Sequence, residues 1–538
     1  MMNYLNKSFQ PVISLSVATS LALLIACGGG GSSNNVNPSQ PPSWQQGVFE
    51  NEGKFKNYCQ MPRSGTDSQG NVFPDKQGTT LQENHWLRAW SNNTYLWYDE
   101  IVDQDPADFS NTESYFNVLK TTALSPSGNN KDKFHFTYDS EEWEQLSQSG
   151  QSAGYGAEWT IVASAPPRKI LVAFTEENAP ASQAGANLER GTEILMIDNI
   201  DVINADDQAS VNIINAGLFP ANEGETHTFV VRDAGASTNR TVTMTSAIIT
   251  SAPVRQTATI DTNNGKVGYL LFNAHIATAE EGLVDAINQL QQDNIDDLVL
   301  DLRYNGGGLL AIASQLSYMI AGANATNNKV FEEIRFNDKH TSTNPVTGRA
   351  LAPTPFYNTT LGFSLTQGQS LPTLNLSRVF ILSTDDTCSA SESIINALRG
   401  IDVEVILIGS TTCGKPYGFY PTDNCGTTYF TIQFRGENDK GFGDYSDGFS
   451  PVNTAGTVGE VVNGCSIADD FNHLLGNPQE SLLSAALTYR ETGSCPTPTG
   501  VAVKHHNSPQ QGTGKTQASG IAINKPIKLN DKIFGIPQ

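Results

Sequence analysis

Positive charge is scarce in this sequence: 32 lysines and arginines stand against 55 aspartates and glutamates, for a formal charge of −23. Such a surface repels polyanions, which argues against nucleic acid or anionic lipid headgroups as partners. Cysteine is also sparse, 7 in 538 residues. No CxxC pair occurs and no histidine stands at ligand spacing to a cysteine, so a zinc centre is not expected. The glycine run Gly306-Gly307-Gly308 has neither a following Gly-Lys-Ser/Thr nor GxGxxG spacing, which argues against a phosphate loop and leaves no cofactor expected. The leading apolar-biased run, Val12 to Ala26, is too short to span a bilayer.

That run follows Lys7 and has the length of a signal-peptide core. It ends in Leu24-Ile25-Ala26-Cys27, which resembles the lipobox of bacterial lipoproteins. The resemblance implies a signal peptide over 1–26, cleavage before Cys27 and lipidation of that cysteine. Several acyl chains on one residue give a stable membrane anchor, whereas one is marginal. Gly28 in place of an acidic residue implies, by the same resemblance, the outer membrane of the cell envelope, facing the periplasm. Residues 27–47 are rich in Gly, Ser, Asn, Pro and Gln and read as a flexible tether with a reach of about 25 Å.

Residues 48–149 read as an N-terminal helical domain. His85, Trp86, Trp90, Tyr95, Leu96, Trp97 and Tyr98 form an aromatic-rich helical stretch, a second helix is expected over Ser114–Thr121, and no catalytic constellation is visible. Residues 150–249 are β-rich: strands at Ile170–Phe174, Ile194–Ile197, Thr226–Arg232 and Arg240–Thr245, a helical turn at Pro180–Gly185 and a helix near Ala209–Ala216. This order resembles a PDZ domain. The resemblance implies that Tyr155-Gly156-Ala157 offers backbone N–H groups to a peptide's terminal carboxylate, while the peptide adds a strand to the sheet.

Residues 250–495 alternate strands and helices, the pattern of an α/β layer. A buried strand, Leu298–Leu302, runs into Arg303-Tyr304-Asn305-Gly306-Gly307-Gly308 and a helix over Leu309–Ile320. A second strand, Arg378–Leu382, runs into Asp385-Asp386-Thr387-Cys388-Ser389-Ala390-Ser391-Glu392 at the mouth of a helix that stops at Gly400. A third, Val403–Ile408, ends in a loop carrying Gly414-Lys415. A serine at a helix mouth has free backbone N–H groups and the positive end of the helix dipole beside it, where an attacked carbonyl gathers negative charge. Its other common role is as a helix cap. Residues 496–538 lack a period and read as a poorly ordered tail, with His505-His506 solvated.

Cys27 aside, the six remaining cysteines are even in number, which in an exported chain favours three disulfides. Short separations suggest Cys413–Cys425 and Cys465–Cys495, leaving Cys59–Cys388; Cys388 with Cys413 is the alternative.

The motifs Asp301 to Gly308, Ser389-Ala-Ser-Glu392 and Gly414-Lys415, in this order behind a PDZ-like unit, resemble the carboxyl-terminal processing (tail-specific) peptidases over roughly residues 80 to 490. The resemblance implies a multidomain α/β chain with a crotonase-like core and a serine–lysine mechanism. Ser389 would be the nucleophile, Lys415 the general base, and the amides of Ala390 and of Gly307 or Gly308 the oxyanion hole. A serine needs an adjacent base to attack an amide. A lysine normally ionising near about 10.4 must be brought to about 7–8, which burial away from carboxylates achieves at about 4 kcal/mol. Many relatives carry a glutamine four residues after the lysine; here Phe419 stands there, so Gln433 or a backbone carbonyl is the candidate to orient Lys415. His275 and His473 are the alternative bases. Expected substrates are envelope proteins with accessible C-termini, and a homo-oligomer is compatible. The competing function is a lipid-anchored PDZ-type binding protein with an inert core.

Overall fold

The computed structural model describes residues 42–67, 70–456, 459–496, 521–523 and 532–533. The expected signal peptide, Cys27, most of the expected tether and His505-His506 lie outside the described residues. At the centre is a six-stranded sheet in the order Val254–Thr262, Gly265–Phe272, Asp297–Asp301, Arg378–Ser383, Glu404–Gly409, Gly464–Ser466. The first two strands form an antiparallel hairpin and the remaining neighbours are parallel. The continuous apolar text of these strands follows from burial on both faces. Alternate residues divide between two cores. Leu298, Leu300, Val379, Ile381, Val405 and Leu407 face the helices Ala279–Gln292, Leu310–Thr326 and Ala390–Gly400. Val299, Phe380, Leu382, Ile406 and Ile408 pack with Leu482 and Leu483 of the helix Ser481–Thr492.

Three adjacent parallel strands end side by side at Asp301, Ser383 and Gly409. Their carboxyl ends deliver the glycine turn, the Ser389 turn and the Lys415 loop to one place, the usual location of a site in a parallel sheet. The helix after the glycine turn runs beyond the expected Ile320 to Thr326, broken at Gly322.

Within 150–249 an antiparallel sheet runs in the order Arg240–Thr245, Thr226–Arg232, Glu193–Ile197, Lys169–Thr175, Ala157–Ala163. The helix Gln208–Leu218 helps to cover its core, which includes Trp159, Ile170, Val172, Ile194, Ile214, Phe229 and Val231. Pro180–Gly185 forms successive turns, in keeping with the expected helical turn. In the N-terminal part the helix Thr80–Thr94 buries Trp86 and Trp90 against Phe116 and Tyr429, and the expected Ser114–Thr121 helix is the shorter Thr112–Phe116. The strand Phe136–Asp139 pairs with Thr427–Phe430, so this part completes a sheet of the core.

The disulfides are Cys59–Cys425, Cys388–Cys413 and Cys465–Cys495. They replace the expected Cys413–Cys425 and Cys59–Cys388. Proximity in the fold, not separation along the chain, sets the pairing. Cys388 and Cys413 follow neighbouring parallel strands, and Cys425 sits at a hairpin turn against the N-terminal segment, where Asn57 N–H donates to Asn424 Oδ1 at 2.8 Å.

A buried ion network joins the 150–249 unit to the core. Asp469 Oδ1 takes Arg190 at 2.8 Å and Arg303 at 2.8 Å, and Tyr304 O–H donates to Asp469 Oδ2. Arg303 also holds Asp301 at 2.6 Å and Glu480 at 2.9 Å, and Tyr269 O–H donates to Asp301 at 2.7 Å. Burial pushes the Asp469 carboxyl up, but the two guanidiniums and the Tyr304 hydroxyl overcome it and hold the group at about 2. A depressed carboxyl contributes stability above its unfolded value, and that contribution is lost as pH falls through the folded one. Thermal unfolding followed against pH should therefore show a fall between about pH 4 and pH 2 that Asp469→Asn removes, at the expense of a lower Tm near neutrality.

Candidate active site

Ser389 stands immediately before the helix Ala390–Gly400 with φ 61° and ψ −112°. Positive φ is rare for a side chain with a Cβ and costs on the order of 1–3 kcal/mol, so the surroundings must enforce it. They do so through Glu392. Its Oε2 accepts the Ser389 N–H at 2.9 Å and the Lys415 N–H at 2.8 Å, and its Oε1 accepts the Gly414 N–H at 2.8 Å and the Thr412 hydroxyl. The backbones of the two expected catalytic residues are thus held within two hydrogen-bond lengths of each other by one oxygen. The Cys388–Cys413 bridge ties the same two loops covalently, with the Cα atoms 5.2 Å apart.

The Ser389 side chain is buried, and Oγ has no hydrogen-bond partner among the described residues. Ala390 is the first helical residue, so its N–H has no acceptor within the helix. Gly307 packs directly on this turn at φ 112°: a Cβ there would meet Ser389 Cβ at 2.8 Å and the Ala390 nitrogen at 3.0 Å. Only glycine fits. The Gly307 N–H is committed to Asn305 Oδ1 at 3.0 Å, whereas Gly308, φ 127°, begins a two-residue strand, Gly308–Leu309.

Lys415 is fully buried, and its Nζ lies 4.7 Å from the Phe134 ring centre and 4.5 Å from that of Phe419. Burial penalises the ammonium while two aromatic faces stabilise it. Phe419, the residue in place of the glutamine, is therefore a wall of the lysine's pocket. Gln433, a candidate to orient Lys415, has Oε1 engaged by the Tyr420 N–H at 2.8 Å. The expectation that no carboxylate stands close to Lys415 fails at its backbone, where Glu392 binds. Burial pushes the Glu392 carboxyl up, and the Thr412 hydroxyl and three amides pull it back only in part.

Of the alternative bases, His275 is buried. Burial pulls its pKa down to about 4, although Asn305 works against this, with Nδ1 and Asn305 Oδ1 3.0 Å apart. Asn305 Oδ1 is an acceptor there, since its Nδ2 donates to Phe272 at 2.9 Å, so Nδ1 carries the proton. His473 instead pairs with Asp470 at 2.6 Å. Cys388, Glu392 and Cys413 converge within 4.8 Å, but both sulfurs are spent in the disulfide, leaving a single carboxylate.

In the 150–249 unit, Tyr155 is buried and its carbonyl accepts the Ala181 N–H at 2.9 Å. Gly156, φ 71°, accepts the Glu176 N–H at 2.6 Å, and Ala157 opens a strand paired with Thr175. Sequence reasoning missed Phe134, in a segment read as lacking any role at the site, and the tether role of Glu392. The capping spacing Ser389-x-x-Glu392 was a signal for the second; nothing local marked the first.

The site is a helix-mouth serine with a buried lysine at the carboxyl edge of an α/β sheet. Residues 266–419, which carry the glycine turn, Ser389 and Lys415, match peptidase family S41. It is 31% identical to a carboxyl-terminal-processing protease of Picosynechococcus sp. over 174 residues, 32% of this chain and 39% of the relative. A Synechocystis sp. protein of the same description is 27% identical over 170 residues, 31% of this chain and 37% of the relative. The chain thus matches well under half the length of these relatives. A solved structure from Bacteroides fragilis NCTC 9343, assigned to the S41 proteases, shares the fold, with a TM-score of 0.55 at 23% identity, covering 76% of this chain and 97% of that one.

Glu392→Gln keeps the volume but places an NH2 where amides must donate. It should lower stability by roughly 2–4 kcal/mol in urea unfolding at neutral pH. Glu392→Asp should not rescue it, because the shorter chain cannot bridge both loops.

Proposed function

We propose that this chain is a serine endopeptidase in which Ser389 and Lys415 form the catalytic dyad of a crotonase-like core. The observation that carries the reading is the Glu392 carboxylate holding the backbones of both residues beside an uncommitted, buried serine hydroxyl. Ser389 Oγ attacks the substrate carbonyl carbon as its proton passes to neutral Lys415 Nζ. The oxyanion accepts hydrogen bonds from the Ala390 and Gly308 amides, while Gly307 contributes by lacking a side chain. Collapse breaks the C–N bond, Lys415 returns the proton to the leaving amine, and an acyl-enzyme remains. Water, deprotonated by Lys415, then attacks the ester and regenerates Ser389.

The similar cyanobacterial proteins are described as carboxyl-terminal-processing proteases, which favours substrates recognised by their tails. In this reading the 150–249 unit is the PDZ-like reader, with Tyr155-Gly156-Ala157 as its carboxylate loop, and the buried Arg190–Asp469–Arg303 network transmits its position to the glycine turn. Cys27 anchors the exported protein to the envelope membrane, and the substrates are envelope proteins.

Ser389→Ala and Lys415→Ala should each lower turnover of an unfolded protein substrate by at least about three orders of magnitude, with unchanged circular dichroism. Near-normal turnover in Lys415→Ala would sink the dyad. Amidating the substrate's C-terminus should raise KM with little effect on kcat.

A further inference from the structure

The strand Gly308–Leu309 has two edges. On one, His275 N–H donates to the Gly307 carbonyl at 2.9 Å and Leu309 N–H donates to the His275 carbonyl at 2.7 Å. In such a parallel ladder the residue between the two bonded ones turns its own amide and carbonyl the other way. The Gly308 N–H, one of the proposed oxyanion donors, therefore faces the opposite edge. That edge is occupied by the chain's own tail: Lys532–Ile533 pairs with it in parallel, Gly308 against Lys532 and Leu309 against Ile533. The same short strand runs beside Tyr417–Gly418, just beyond Lys415. The tail is also fixed to the 150–249 unit. Ile523 is buried in that unit's core, its N–H donates to the Ser164 carbonyl at 3.0 Å, and the Arg168 guanidinium donates to the Ile521 carbonyl.

We propose that the tail is an intramolecular occupant of the substrate strand's place. The inference rests on the Ser389 reading above and adds the docking edge and its competitor. An extended polypeptide running parallel to Gly308–Leu309 sets its backbone against the Gly308 amide, the donor a scissile carbonyl must reach. A substrate of this chemistry has to displace Lys532–Ile533, so its apparent affinity is reduced by the fraction of molecules whose edge is free. Backbone pairing makes the edge tolerant of sequence, which suits both a tail and a varied set of unfolded chains.

The test uses the intact chain with Ile533→Pro, which is poorly accommodated in a paired strand and leaves every site residue in place. In a Ser389→Ala background, where the tail stays intact, hydrogen exchange of the segment 306–312 should quicken when Ile533→Pro is added. With Ser389 present, Ile533→Pro should lower KM for quenched fluorescent casein by about five-fold or more at unchanged kcat. A synthetic peptide of residues 519–538 should then restore the higher KM competitively. Unchanged exchange at 306–312 overturns the docking. Quickened exchange with an unchanged KM and no competition by the peptide overturns the tail as competitor. Absence of turnover in every form sinks the peptidase reading instead, and the exchange measurement still decides whether the tail docks.

Discussion

One buried carboxylate organises the centre of this molecule. Glu392 lies one turn into its helix, where it accepts the amide of Ser389, and the same oxygen accepts the amide of Lys415 from another loop. Taking a carboxylate out of water costs several kcal/mol unless its lone pairs are met, and here three amides and a hydroxyl meet them. The arrangement is therefore cooperative: the two loops satisfy the carboxylate, and the carboxylate holds the two loops. It also accounts for the backbone at Ser389, whose left-handed φ no isolated serine would keep. The Cys388–Cys413 bridge duplicates the constraint covalently, so the spacing of the loops does not depend on a single contact.

Beneath that contact lies topology. Parallel pairing of Asp297–Asp301, Arg378–Ser383 and Glu404–Gly409 ends three strands at one edge, and each continues into one piece of the site. The turn after the first strand carries Arg303, which is buried with Asp301, Asp469 and Glu480. Thr384, just before the serine turn, donates its hydroxyl to the Arg303 carbonyl. The glycine turn is thus braced from below by charge, from the side by the serine turn, and through Arg190 by the 150–249 unit.

Much of this was legible because the physics is local. Continuous apolar runs marked the buried strands to within a residue or two, and glycines at a strand end marked close backbone approach. The Ser389 turn, its helix and the Lys415 loop were readable in order because each strand leads directly into its own piece. What could not be read depends on contacts between distant segments. The cysteine pairing followed the crossovers of the sheet, not separation along the chain, so Cys59 bonds Cys425 across 366 residues. Phe134 enters the lysine pocket because Phe136–Asp139 pairs with a hairpin nearly 300 residues later, a fact no window of sequence contains.

The pocket of Lys415 shows how a departure in sequence becomes intelligible in three dimensions. A glutamine beside the lysine would accept a hydrogen bond from it and fix its direction. Phe419 cannot do that, but with Phe134 it sets two ring faces within 5 Å of Nζ. Such faces attract the ammonium and do little for the neutral amine. Burial acts in the opposite sense, against the charge. An entering substrate shifts that balance by excluding the remaining water, which strengthens both the pull of the rings and the cost of the charge. The aromatic pocket makes the state of the lysine depend on what covers the site, and the edge beside it, at Gly308–Leu309, is where covering polypeptide lies.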